Sequence, residues 1–248
     1  MNTSLPRRLD GYTTLLGYVF VHWRALRKQP LHAALLRQVN AIGIEALGTI
    51  AALGSICGVL VITQITALAG GDNETGIRIL IWTLVRELAP LLTALIVISR
   101  SSAAMATDLA LMRLHHEFSA LERIGIRPEE YLLLPRVAGM TLALLATTVC
   151  FQTIAILSGL FVSSFQGVNF VQQLGHVLDL TRPSELLISA FKSLCFGLAI
   201  GIVACYHGSV ARPDPAAVPR AATSAVANSL LLVFLIDILF AGADLLVP

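Results

Sequence analysis

Arg86, Glu87, Lys192 and Asp237 are the residues whose types and positions carry chemistry, because each falls within or at the edge of a long apolar run. A charge at the centre of a bilayer costs roughly 2.5–3.5 kcal/mol on insertion scales, so such groups persist where they are paired, wetted or functional. Two are cations and two are anions, so their charges cancel. Arg86 and Glu87 are neighbours in the chain and project about 100° apart on a helix. Each therefore needs a partner on another helix, and Lys192 and Asp237 are the candidates. One use of such a set is an ion-pair staple between helices. Another is a polar path in which a lipid headgroup sheds water while its acyl chains lie against Leu, Ile, Val and Phe. The two uses are compatible.

Little else in the chain supports catalysis. A phosphate-cradling loop needs G-x-x-x-x-G-K-[ST], and the nearest approach, 71–76, continues into Ile77 and Arg78. His115-His116-Glu117 has the residue types of a metal site, but consecutive helical residues diverge and the surrounding segment offers no second ligand cluster. Cys57, Cys150, Cys195 and Cys205 all lie in apolar stretches without ligand spacing and read as small core hydrophobes. No catalytic residue, cofactor or metal is expected on this chain.

The elements that must position the charges follow from composition. Of 248 residues, 56% are hydrophobic and 13% charged, with a mean hydropathy of +0.80; soluble domains carry about 25% charged residues. This is an integral membrane protein, and its net charge of +2 is too small to argue for nucleic acid. Apolar stretches at about 41–69, 132–161, 186–206 and 223–247 each exceed the roughly 20 residues a spanning helix needs. A fifth, about 77–99, carries Arg86, Glu87 and Pro90. None alternates as barrel strands do, so the expected fold is all-α with about five transmembrane helices. Thirteen of the seventeen Lys and Arg residues precede the first span or lie in the segments between the second and third and between the fourth and fifth. The positive-inside rule makes those segments and the N-terminus cytoplasmic, with the C-terminus outside. Two regions are expected: an N-terminal segment 1–40 and a permease domain 41–248. Within the first, Leu16, Val19, Phe20, Trp23 and Leu26 recur at helical spacing and suit an interfacial helix or a short helix packed on the bundle.

Segment 100–131 is too polar to span and too regular for a linker. Leu114, Phe118 and Leu121 make one apolar stripe, with Arg113, Glu117 and Glu122 beside it, which predicts a short amphipathic helix. Gly125 supplies a stop. Arg127, Pro128, Glu129 and Glu130 supply a start, with proline at a first-turn position and two acids near the positive end of the next helix. The expectation is a cytoplasmic helical hairpin.

The stretch Arg86-Glu87-Leu88-Ala89-Pro90-Leu91-Leu92-Thr93-Ala94-Leu95, then Arg100 with Ala103-Ala104, then Ala120-Leu121-Glu122-Arg123-Ile124-Gly125-Ile126 with Pro128, Tyr131 and Pro135-Arg136, resembles the MlaE/YrbE permease family. Phe191-Lys192-Ser193, Phe196-Gly197, Cys205-Tyr206, Gly208 and Asp237 continue the resemblance, which covers about 40–240. Members are membrane subunits of ABC-type phospholipid transporters that work with MCE proteins. The resemblance implies a homodimer in the bacterial inner membrane, with ATP and magnesium held by a separate cytoplasmic ATPase. It also implies an MCE-domain protein on the outer side, and it leaves room for an accessory cytoplasmic subunit. Leu114, Glu117, Phe118, Leu121 and Glu122 would then couple to the ATPase. His116-Glu117-Phe118-Ser119 replaces the family's more acidic coupling helix, which implies a diverged ATPase. The rival reading is a proton-coupled secondary transporter using Glu87 and Asp237. Against it, the chain shows no inverted repeat and no matched pair of broken helices.

Overall fold

Leucine, isoleucine, valine and alanine in long runs favour helices whose backbone bonds all close within the segment, as lipid requires. The computed structural model describes residues 12–13, 15–17, 29–68, 81–165, 170–180 and 183–246, and among these it holds helices and turns but no strand. The helices are α1 (Gln29–Leu68), α2 (Ala89–Val97), α3 (Ala103–Leu114), α4 (Glu117–Arg123), α5 (Leu134–Ser164), α6 (Phe170–Leu180), α7 (Pro183–Ser209) and α8 (Ala217–Leu246). π-helical segments Ile81–Leu88 and Ile98–Ser102 flank α2, and a third, Glu129–Leu133, leads into α5. Among the described residues, five helical stretches are long and apolar enough to cross a membrane: Ala46–Gln64, Trp82–Leu114, Glu129–Ser164, Pro183–Ser209 and Ala217–Ala243. The expected all-α membrane fold is present.

Several boundaries differ from expectation. α1 begins at Gln29, so the expected division between residues 40 and 41 lies inside a continuous helix. Hydropathy marks where lipid can begin, which need not be where a helix begins. The second span likewise continues through Arg100 to Leu114, because residues 91–124 contain no Gly or Pro and alanine and leucine in α3 favour helix. The expected hairpin of 100–131 is therefore confined to α4 and its two turns. α6 adds a helix between the apolar stretches 132–161 and 186–206. Of the N-terminal stripe, Leu16 lies in a short helical piece, whereas Val19, Phe20, Trp23 and Leu26 lie outside the described residues.

The hairpin's ends are set by two left-handed residues. His116, at φ 59°, breaks the helix between α3 and α4. Leu114 thus ends one helix while Phe118 and Leu121 belong to the next, so the stripe read as one helical face is split. α4 ends at Gly125, φ 78°. There the Ile126 amide donates to the Leu121 carbonyl at 3.0 Å and the Gly125 amide to the Glu122 carbonyl at 3.0 Å, the paired bonds of a Schellman stop. Pro128 then precedes Glu129 and Glu130 in the first turn of the next helix, as the residues implied.

The chain forms two compact units. The first comprises 1–42, 97–143 and 195–248. In it α3 packs along α8, and Phe196, Leu109, Met140 and Ile200 are fully buried. Tyr12 joins this unit through its hydroxyl, 2.9 Å from His207 Nε2, and the Asn228 amide nitrogen meets the same ring atom at 3.0 Å. The second unit comprises 43–96 and 144–194, around a core of Ile50, Leu84, Val85, Ala89, Phe151 and Ala155.

Candidate functional site

The second unit carries a polar ladder within its apolar core. On α7, Glu185, Ser189 and Lys192 fall at i, i+4 and i+7, hence on one face. Lys192 Nζ donates to Glu87 Oε2 at 2.6 Å. Arg86 Nη1 donates to Glu185 Oε2 at 3.2 Å. Between them Gln152, from α5, donates to Ser189 Oγ at 2.6 Å and to the Val85 carbonyl at 3.0 Å. A further pair, Thr93 and Thr148, joins hydroxyls at 2.9 Å.

Local backbone geometry explains why the ladder forms there. In a π-helix the amide of residue i+5 bonds the carbonyl of residue i, so Val85 would look to position 90. Pro90 has no N–H to give. Gln152 supplies the missing donor and is itself almost wholly buried. The same π-helical stretch carries Arg86 and Glu87, and it turns both toward α7.

The expected pairing of Glu87 with Lys192 is present. Arg86 takes Glu185, one residue before the apolar stretch 186–206, so both partners sit on one helix two turns apart. Asp237 is half-buried on α8 in the first unit. Gln152, Ser189 and Glu185 were missed, although the seven-residue interval from Glu185 to Lys192 was a usable signal. Exposure along the ladder is asymmetric. Lys192 is 1% exposed and Arg86 12%, against 25% for Glu87 and 21% for Glu185. The cations lie deep and the carboxylates reach the surface. The two ion pairs leave the ladder neutral, the condition under which buried ions are tolerated.

At the hairpin end of the first unit, Glu117 and Glu122 are exposed, Leu114 and Leu121 half-buried, and Phe118 buried. The Arg113 guanidinium carbon stands 4.3 Å above the Phe118 ring. Phe118 is therefore a packing residue of the hairpin. The surface open to another molecule is polar, with exposed Ile124 and Tyr131 beside it.

A family model described as Permease MlaE matches residues 35–243. A probable ABC transporter permease protein of Synechocystis sp. is 30% identical over 232 residues, covering 92% of this chain and 88% of that protein. One from Rickettsia prowazekii is 29% identical over 222 residues, 88% of this chain and 86% of that one. The chloroplastic protein trigalactosyldiacylglycerol 1 of Arabidopsis thaliana is 27% identical over 224 residues, 88% of this chain and 60% of that protein.

Proposed function

Because the chain belongs to the MlaE permease family, we propose that it is the subunit of an ABC-type transporter that moves phospholipid between the bacterial inner membrane and an MCE-domain protein on the outer side. The observation that carries this reading is the polar ladder, whose outward carboxylates and inward cations give a charged headgroup somewhere to shed water inside otherwise apolar spans. The relative named for trigalactosyldiacylglycerol, a glycolipid, supports a lipid substrate. ATP and magnesium belong to a separate cytoplasmic ATPase. Its cycle drives the hairpin, and the helical stretch Trp82–Leu114 links that hairpin to Arg86 and Glu87 near its other end. Five spans are few to enclose a two-chain lipid, which favours a homodimer. α8 leaves Leu231, Ile238 and Leu239 exposed for lipid or a second copy. An accessory cytoplasmic subunit is compatible with the exposed polar hairpin.

Charge supports the orientation. Thirteen of the seventeen Lys and Arg residues precede the first span or lie within 100–136 and 212–220, so by the positive-inside rule those segments, the hairpin among them, face the cytoplasm. A membrane-impermeant thiol reagent applied to intact cells is expected to label Asp179→Cys and to spare Glu122→Cys, with the four native cysteines, all within helices, as baseline. Labelling of Glu122→Cys would reverse the topology and remove the motor from the hairpin. The function itself is tested by purifying the tagged chain from its own membranes. The expected preparation contains an ATPase with a phosphate-binding loop, an MCE-domain protein and bound phospholipid, and it hydrolyses ATP. A preparation lacking both ATPase and lipid would overturn the proposal.

A further inference from the structure

A cavity of about 430 Å³ opens at the hairpin end of the first unit, walled by the end of α3, by α4 and by the loop that follows α7. Among the described residues its charged lining residues are Arg113 and Arg212, His116 and Ser119 add polar groups, and no carboxylate lines it. Arg113 is held from two directions. Its Nε donates to the Ser209 carbonyl at 2.6 Å, and its guanidinium lies over the ring of buried Phe118. Two such restraints fix the guanidinium plane, and a planar fork fixed in advance suits the two oxygens of one anion. Arg212, exposed on the loop after α7, adds a second positive charge. His116 turns the chain through its left-handed conformation and so brings α4 round to close the wall.

We infer that this cavity receives the carboxylate of an acidic side chain from the ATP-hydrolysing subunit, an inference that rests on the permease reading above. The ligand is an anion because both charged groups of the described lining, Arg113 and Arg212, are positive. It comes from a protein rather than a lipid because the hairpin beside the cavity exposes Glu117 and Glu122, carboxylates that repel an anionic headgroup layer and that a folded protein surface can match with its own charges. Such a contact would join the hairpin and the α7–α8 loop in a single grip, so that the motor moves both together.

The test captures ATPase on the tagged full-length chain purified from its own membranes. Arg212→Glu is expected to lower the captured ATPase about tenfold or more, the scale of losing one partner of a desolvated charge pair. Arg220→Glu, an exposed arginine on α8 that does not line the cavity, is expected to leave capture unchanged. Arg212→Lys keeps the charge and adds an amine that a carbodiimide couples to carboxylates. The expected cross-link joins it to an aspartate or glutamate of the ATPase. Undiminished capture by Arg212→Glu, or a cross-link to lipid headgroup alone, overturns the inference and leaves the permease reading standing. Failure of the wild-type chain to capture any ATPase overturns both.

Discussion

Glu87→Gln is expected to destabilise the protein far more than Lys192→Met, although both variants break the same 2.6 Å ion pair. The asymmetry comes from burial. Removing the carboxylate takes the counter-charge from an ammonium that is 1% exposed, whereas removing the ammonium leaves a carboxylate that is 25% exposed and can recruit water. Breaking a buried pair from one side typically costs about 3–5 kcal/mol. Glu87→Gln should approach that range, and Lys192→Met should fall well below it. The double variant Glu87→Gln/Lys192→Met removes both charges and should recover most of the loss, since apolar replacement of a buried pair is often neutral. Denaturation midpoints of the detergent-purified protein read the three variants, and equal losses in the two single variants would sink the assignment of Lys192 as the buried member. Lipid content separates staple from path. If the ladder meets headgroups, the recovered double variant loses a charge-assisted contact and should carry about tenfold less phospholipid. Full lipid content at recovered stability would leave the ladder as a staple only.

How much of this was legible in the residues differs by element. The five spans follow from hydropathy because lipid imposes one condition on every residue of a crossing helix. Lys192 and Glu87 follow because an ion in an apolar run has few tolerable states. Glu185 did not, since it sits within the first turn of α7, where a charge is cheap and needs no explanation. Gln152 did not either. An uncharged polar residue in an apolar run carries no sign, and its role depends on a carbonyl left without a donor by Pro90, sixty-two positions away in the chain. The hairpin shows the complementary limit. Its glycine stop and proline start were readable as local chemistry, but the break at His116 was not, because a left-handed histidine has no signature in side-chain spacing. Phe118, read as an anchor for a partner, is instead covered by Arg113 from its own chain.

The glycines of α1 show the same limit and carry the other large effect. Gly54 and Gly58 stand four apart, the small-residue spacing through which membrane helices approach closely, and the sequence treats them alike. The structure separates them. A Cβ on Gly54 would sit 3.4 Å from the Phe151 carbonyl oxygen, close but adjustable. A Cβ on Gly58 would collide with the Ala155 carbonyl oxygen and lie 2.6 Å from Ser158 Oγ, in the region where Ser158 donates back to the Ser55 carbonyl at 3.2 Å. Backbone is in the way, so relief requires α1 and α5 to part. Lipid offers no hydrophobic force to hold them together once packing is lost. Gly58→Ala is therefore expected to cost at least the 1–3 kcal/mol or so of an overpacked core, and Gly58→Leu to abolish accumulation of folded protein. Gly48, on the same helix, has nothing within 4 Å of a built Cβ, so Gly48→Ala should be neutral or stabilising by up to about 1 kcal/mol through helix propensity. Denaturation midpoints of the two alanine variants, measured side by side in detergent, decide the matter. A Gly58→Ala protein as stable as Gly48→Ala would mean that α1 and α5 do not meet at this crossing.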